Sequence, residues 1–335
     1  MLSLMTSATS CAAFFGALAV LALPGCGDGG GDAAPAEAAD GGALDGNAEA
    51  AEPLPDPVPD DCITEVDAGK HEFHCDGLTF GVNVPDQCLE RACGVVLDVH
   101  GWFMTGADEE REAHLAERGA DHDLIVIQPT ANLGPPMGPF PEGPSWSFDH
   151  DEPLVHAFLM RAIDVWHANE KRIHVTGFSQ GGAMTWRFLC HHSQMLASVA
   201  PGAASSFFGT PETGGVCEGS TMPAERIPVL YLHGTRDALV AFSGAQTTRD
   251  ILIAQWGLKK DKTVSTDTEH SWTRYGNDQG DVFEFIQHDY ATDFSFLTGH
   301  CFPGSDSKGV LACKGKNAFV WGEAVMDFFV AHPRP

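Results

Sequence analysis

Three side-chain types in this chain stand where they could act together on a carbonyl: a serine framed by glycines, an aspartate behind a strand, and a histidine in a tight loop. Ser179 lies in Val175-Thr176-Gly177-Phe178-Ser179-Gln180-Gly181-Gly182. A serine hydroxyl is a weak nucleophile until a base takes its proton, and the base needs an acid to fix its tautomer. Gly177 and Gly181 leave room beside a strained serine where a Cβ would collide. Free N–H groups at the start of a following helix favour developing negative charge. The acid is placed by Pro228-Val229-Leu230-Tyr231-Leu232-His233-Gly234-Thr235-Arg236-Asp237, an apolar strand emptying into a short loop that presents Asp237. The histidine has several rivals. His270 sits in a polar stretch, His332 in the tail, His288 directly after an apolar run, and His300 in Thr298-Gly299-His300-Cys301-Phe302-Pro303-Gly304. The residues by themselves leave His288 and His300 close to even.

An oxyanion needs two backbone donors. One is expected from the N–H of Gln180, which follows the serine, and the other from His100-Gly101-Trp102, at the Trp102 N–H. The Trp102 ring is as well suited to core packing. Trp146 and Phe148 fall in a Pro- and Gly-rich stretch, 129–151. They either wall an acyl or aromatic pocket or pin that loop to the body.

The elements that must hold these residues follow from pattern. Strands are expected at 71–75 and 78–84 (a hairpin turned at Asp76-Gly77), and at 95–99, 124–127, 172–176, 196–200, 227–232 and 282–287. Helices are expected at 107–118, 152–168, 183–192, 245–256 and 317–330. Their alternation predicts an α/β fold, a mostly parallel sheet covered on both faces, with no internal repeat. The segment 203–226, rich in Gly, Ser, Thr and Pro, is too short for a large helical lid. An open cleft favours short or aryl acyl groups.

Residues 1–26 read as an export signal, with an apolar run over 12–23 too short to span a membrane comfortably. Leu23-Pro24-Gly25-Cys26 resembles a bacterial lipobox, which would lipidate Cys26; simple secretion is the alternative. Residues 27–60, Gly, Ala, Pro and acidic residues with little to bury, read as a disordered linker. That leaves 61–335 as one catalytic domain. The net charge of −27 argues against nucleic acid or an anionic surface as partner; membrane contact is expected only through Cys26.

The cysteines past the linker are even in number, which in an exported chain points to disulfides. Cys88 and Cys93 flank a short turn, Cys301 and Cys313 would close a loop beside His300, and Cys62 with Cys75 would tie down the first strand. Cys190 and Cys217 then pair by elimination. A zinc site around His71, His74 and Cys75 is disfavoured, because on a strand His71 and His74 point to opposite faces. No metal or organic cofactor is expected.

Gly-Phe-Ser-Gln-Gly-Gly-Ala-Met-Thr, His-Gly-Thr-Arg-Asp and Gly-His-Cys-Phe-Pro-Gly stand in one order along the chain. In that order they resemble the secreted polyhydroxybutyrate depolymerase-like α/β-hydrolases, a group that includes feruloyl and acetylxylan esterases. The likeness runs from about residue 94 to 332, and the elbow also resembles that of cytosolic carboxylesterases and acyl-protein thioesterases. The resemblance implies the α/β-hydrolase fold and a triad of Ser179, Asp237 and His300, so it selects His300 over His288. It implies a secreted or surface-anchored serine esterase acting through an acyl-enzyme on short or aryl esters, polymeric ones included. A serine exopeptidase on the same fold and an inactive surface binding protein are the alternatives.

Overall fold

A computed structural model describes residues 54–136, 141–206 and 214–335. The expected export signal, Cys26 and most of the linker lie outside the described residues. The strands are β1 (Gly69–Cys75), β2 (Leu78–Val84), β3 (Gly94–Val99), β4 (Leu124–Thr130), the short β5 (Leu133–Gly134) and β6 (Gly143–Pro144), then β7 (Ile173–Phe178), β8 (Ser198–Gly202), β9 (Val229–Gly234), β10 (Lys259–Thr266), β11 (His270–Gly276) and β12 (Val282–His288). The helices are α1 (Gly106–Ala113), α2 (Leu115–Ala120), α3 (Phe148–Val165), α4 (Gln180–His192), α5 (Phe242–Trp256) and α6 (Trp321–Ala331).

Ten strands form one sheet in the order β1-β2-β4-β3-β7-β8-β9-β12-β11-β10. From β4 to β12 every neighbouring pair is parallel. The antiparallel hairpins β1–β2 and β10–β11 border this parallel centre. Buried parallel strands must feed apolar side chains to both faces. In β3, Val95, Leu97 and Val99 enter one core with Phe158 of α3 and Leu252 of α5, while Val96 enters the other with Met326 of α6. The helices α3, α4 and α5 cover the first face, and α1, α2 and α6 the second.

Several boundaries differ from the sequence expectation. The helix expected at 107–118 is two helices, parted at His114, whose φ of 53° is left-handed. The chain turns there after a start fixed by a capping box between Thr105 and Asp108. The helix expected from 152 begins at Phe148, and Pro153, its sixth residue, has no N–H to give the Asp149 carbonyl. The hairpin β10–β11 falls where no strand is expected from the sequence. Its outer strand carries Lys259, Lys260 and Lys262 on an exposed edge with register breaks, a composition that protects an edge from pairing but hides the strand period. Residues 54–60, assigned to the linker, lie on the body: the Val58 N–H donates to the Val165 carbonyl, and Arg161 pairs with Asp60 and Asp61.

All four expected disulfides are present: Cys62–Cys75, Cys88–Cys93, Cys190–Cys217 and Cys301–Cys313. Among the described residues no helix is long and apolar enough to cross a membrane.

Candidate active site

The serine sits where β7 stops and α4 starts. Ser179 has φ 56° and ψ −116°, a conformation that L-residues adopt at a cost and that a tight strand-to-helix turn imposes. Its own N–H donates to the Gly202 carbonyl of β8, 2.9 Å away, and its carbonyl receives the Ala183 N–H of α4. The turn is close-packed. A Cβ on Gly181 would overlap the Val99 carbonyl oxygen of β3, so glycine is required there by approach rather than by φ.

Asp237 and His300 come from the loops after β9 and β12. Their backbones touch, since a Cβ on Gly234 would overlap the Gly299 carbonyl. That contact sets the two side chains together: His300 Nδ1 lies 2.6 Å from Asp237 Oδ2, with both residues buried. The other carboxylate oxygen receives the N–H groups of Leu239 and Val240 at 2.9 and 2.8 Å. Burial alone would raise the Asp237 carboxyl. The hydrogen bond and charge of His300, with the Val240 N–H, outweigh burial and hold it below its ordinary value. A carboxylate only accepts, so Nδ1 carries the hydrogen and Nε2 is left as the basic nitrogen. The imidazole stands edge-on to Phe178, the residue before Ser179, with ring centroids 5.0 Å apart.

The rival histidines are placed elsewhere. His288 ends β12, stacks on Tyr290 and receives the Tyr290 N–H at Nδ1. Burial, with the neighbouring His233 charge, pushes it down to about 3, so it stays neutral. His270 lies in β11 beside Ser265, and His332 follows α6. Cys301, Cys313 and His288 form one compact group of possible metal ligands, but the two sulfurs are bonded to each other.

The loop after β3 approaches the serine from the other side, where a Cβ on Gly101 would lie 3.2 Å from Ser179 Cβ. His100 fixes this loop. Its Nε2 accepts the Ala131 N–H at 3.0 Å, so its Nδ1 carries the hydrogen and donates to the Gly101 carbonyl at 2.6 Å. Burial pushes His100 down to about 4 and keeps that tautomer uncharged. Beneath it are buried carboxyls: burial raises Asp98 to about 7, and burial together with the Asp98 charge raises Glu109 well above its ordinary value.

Of the two expectations for Trp146, pocket wall or loop pin, its contacts are those of a loop pin. It is 4% exposed, packs 4.8 Å from the His100 ring, and its indole N–H donates to the His100 carbonyl at 2.9 Å. Phe148 opens α3, half-buried against the core, with the Arg187 guanidinium 5.7 Å over its ring. Sequence reading also missed the Gln180 side chain. Its Oε1 accepts the Trp146 N–H at 3.0 Å, and its Nε2 donates to Ser145 Oγ and the Trp146 carbonyl. Only the backbone of Gln180 had been singled out, and nothing in the sequence marks the partner of its amide.

The phospholipase/carboxylesterase family model matches residues 148–288, a span that holds Ser179 and Asp237 and stops short of His300. Feruloyl esterase B of Piromyces equi is 26% identical over 157 residues, covering 46% of this chain and 28% of that protein. A bifunctional acetylxylan esterase/xylanase of Neocallimastix patriciarum is 20% identical over 151 residues, covering 44% of this chain and 20% of that protein. The chain thus spans well under half the length of these relatives. The acetyl xylan esterase from Aspergillus awamori superposes with a TM-score of 0.56 at 16% identity, over 78% of this chain and 99% of that one. The chain has an α/β-hydrolase fold, its central segment is similar to the phospholipase/carboxylesterase family, and feruloyl and acetylxylan esterases are among the proteins it is similar to.

Proposed function

We propose that this protein is a serine esterase that hydrolyses short or aryl carboxylic esters, acetyl and feruloyl groups on polysaccharide among them, through an acyl-enzyme. The observation that carries the reading is the buried 2.6 Å contact between His300 Nδ1 and Asp237 Oδ2, beside a serine in a strained turn at a helix start. Ser179 Oγ attacks the ester carbonyl as His300 Nε2 takes its proton. The carbonyl oxygen becomes negative between the N–H groups of Gln180 and Trp102. His300 then gives the proton to the departing alcohol, and a water, activated by the same nitrogen, releases the acid. Asp237 holds the tautomer throughout.

The polysaccharide setting is supported by the names of the two curated relatives, and disulfides suit an oxidising compartment outside the cytoplasm. Short or aryl acyl groups are favoured because no large lid covers the sheet among the described residues. A long acyl chain gains affinity from a sheltered apolar tunnel, which such an architecture does not supply. The test is kcat/KM for acetyl, butyryl, feruloyl and palmitoyl esters of one alcohol. The first three should be cleaved faster than the last. A preference for palmitoyl would overturn the acyl assignment, and turnover of none by the folded protein would overturn the esterase reading.

A further inference from the structure

Resting on the esterase reading, the mechanism divides the space at Ser179 into two sides. The carbonyl oxygen must face the backbone donors near Trp102 and Gln180. The leaving oxygen must meet His300, because that imidazole protonates it. Side chains that border His300 and its acid partner therefore border the alcohol half of the ester.

Two loops do so. Between β12 and His300, Phe294 is 44% exposed and Phe296 is 51% exposed, with their rings edge to face at 6.0 Å. In the acid loop, Leu239 is 55% exposed, two residues past Asp237. Large apolar side chains exposed on the loops that carry Asp237 and His300 mark contact with something else. The Phe294 loop is also well held. Thr292 Oγ1 donates to the Phe294 carbonyl and accepts the Phe294 N–H, and Leu297 is buried. The Gly299 N–H donates to the Tyr290 carbonyl, and the His300 N–H to the Leu297 carbonyl. The Lys314 N–H donates to the Ala291 carbonyl, which ties the loop to the segment closed by Cys301–Cys313. The exposed rings are thus presented by a fixed backbone.

We infer that Phe294, Phe296 and Leu239 form the alcohol-side subsite, a ledge on which the sugar chain bearing the acyl group lies. The negative faces of the rings attract the polarised C–H edges of a sugar, and flat rings held in place cost little entropy to use. Beside the rings Asp293, which pairs with Lys314, is exposed, and its carboxylate accepts hydrogen bonds that sugar hydroxyls donate and the repeat units of a polyester cannot.

The experiment compares two acetyl esters, acetylated xylan and methyl acetate, whose alcohol half is too small to reach the ledge, on wild type, Phe294→Ala/Phe296→Ala, and Phe294→Tyr/Phe296→Tyr. The Ala pair should lose about tenfold in kcat/KM on acetylated xylan, mainly through KM, and stay within about twofold on methyl acetate. The Tyr pair should restore most of the loss. An equal loss on both substrates, or no loss on xylan, would overturn the ledge alone. So would weakened adsorption to solid polyhydroxybutyrate with xylan kinetics unchanged. No turnover of methyl acetate by wild type would overturn the esterase reading and the ledge with it.

Discussion

At the scale of residues, hydrogen-bond partners rather than position decide which histidine can act as base. His288 ends β12 and His300 follows it, yet Asp237 faces His300, while His288 is held neutral against Tyr290. The same logic reassigns Trp146. Its indole N–H bonds the carbonyl of His100, whose ring in turn bonds the Gly101 carbonyl, so under the proposed mechanism Trp146 steadies the donor loop. Trp146→Phe keeps an aromatic ring in the core and removes that donor, leaving a buried carbonyl short of a partner. Stability should fall by about 1–3 kcal/mol. Turnover should also drop more than substrate binding, because the donor at Trp102 serves the transition state. Urea unfolding with steady-state kinetics checks both, and an unchanged kcat would leave Trp146 as packing alone.

At the scale of elements, what was legible had a strong local signal. The turn around Ser179 showed in its glycines, and β3, β7 and β9 showed because strands buried on both faces read as unbroken apolar runs. Cys88 and Cys93 showed by nearness along the chain. What failed to show depends on tertiary contact. The polar edge strand β10 has no apolar face to count, and the break at His114 reflects a left-handed residue that composition does not announce. The Gln180 amide, joining α4 to the stretch that carries Trp146, is a pairing across the fold. Choosing His300 over His288 needed the family resemblance, since only the meeting of Gly234 with Gly299 brings that histidine to Asp237.

At the scale of the whole molecule, buried ionisable groups tie stability to pH. Burial lowers His100 to about 4, and His174 and His288 to about 3. In the unfolded chain each takes a proton below about pH 6.5. Between about pH 4 and 6.5 the unfolded state therefore binds the extra protons, and folding loses stability as pH falls through that window. Asp98 and Glu109, raised by burial, act with the opposite sign over much of the same range. His233 is buried and lowered in the same sense, so the buried histidines outnumber these two carboxyls and stability should fall as pH drops from 7 to 5. Urea unfolding at pH 7 and pH 5 should show it, and equal stability at both would contradict it. The central claim, that Ser179 is activated by His300 paired with Asp237, is tested most directly by the rate at which a fluorophosphonate labels the protein, with the adduct mapped by peptide mass. Wild type should label at Ser179, Ser179→Ala should not label, and His300→Ala should label about 10³-fold more slowly or less. His288→Ala should stay close to wild type; loss of labelling in His288→Ala with retention in His300→Ala would contradict the account.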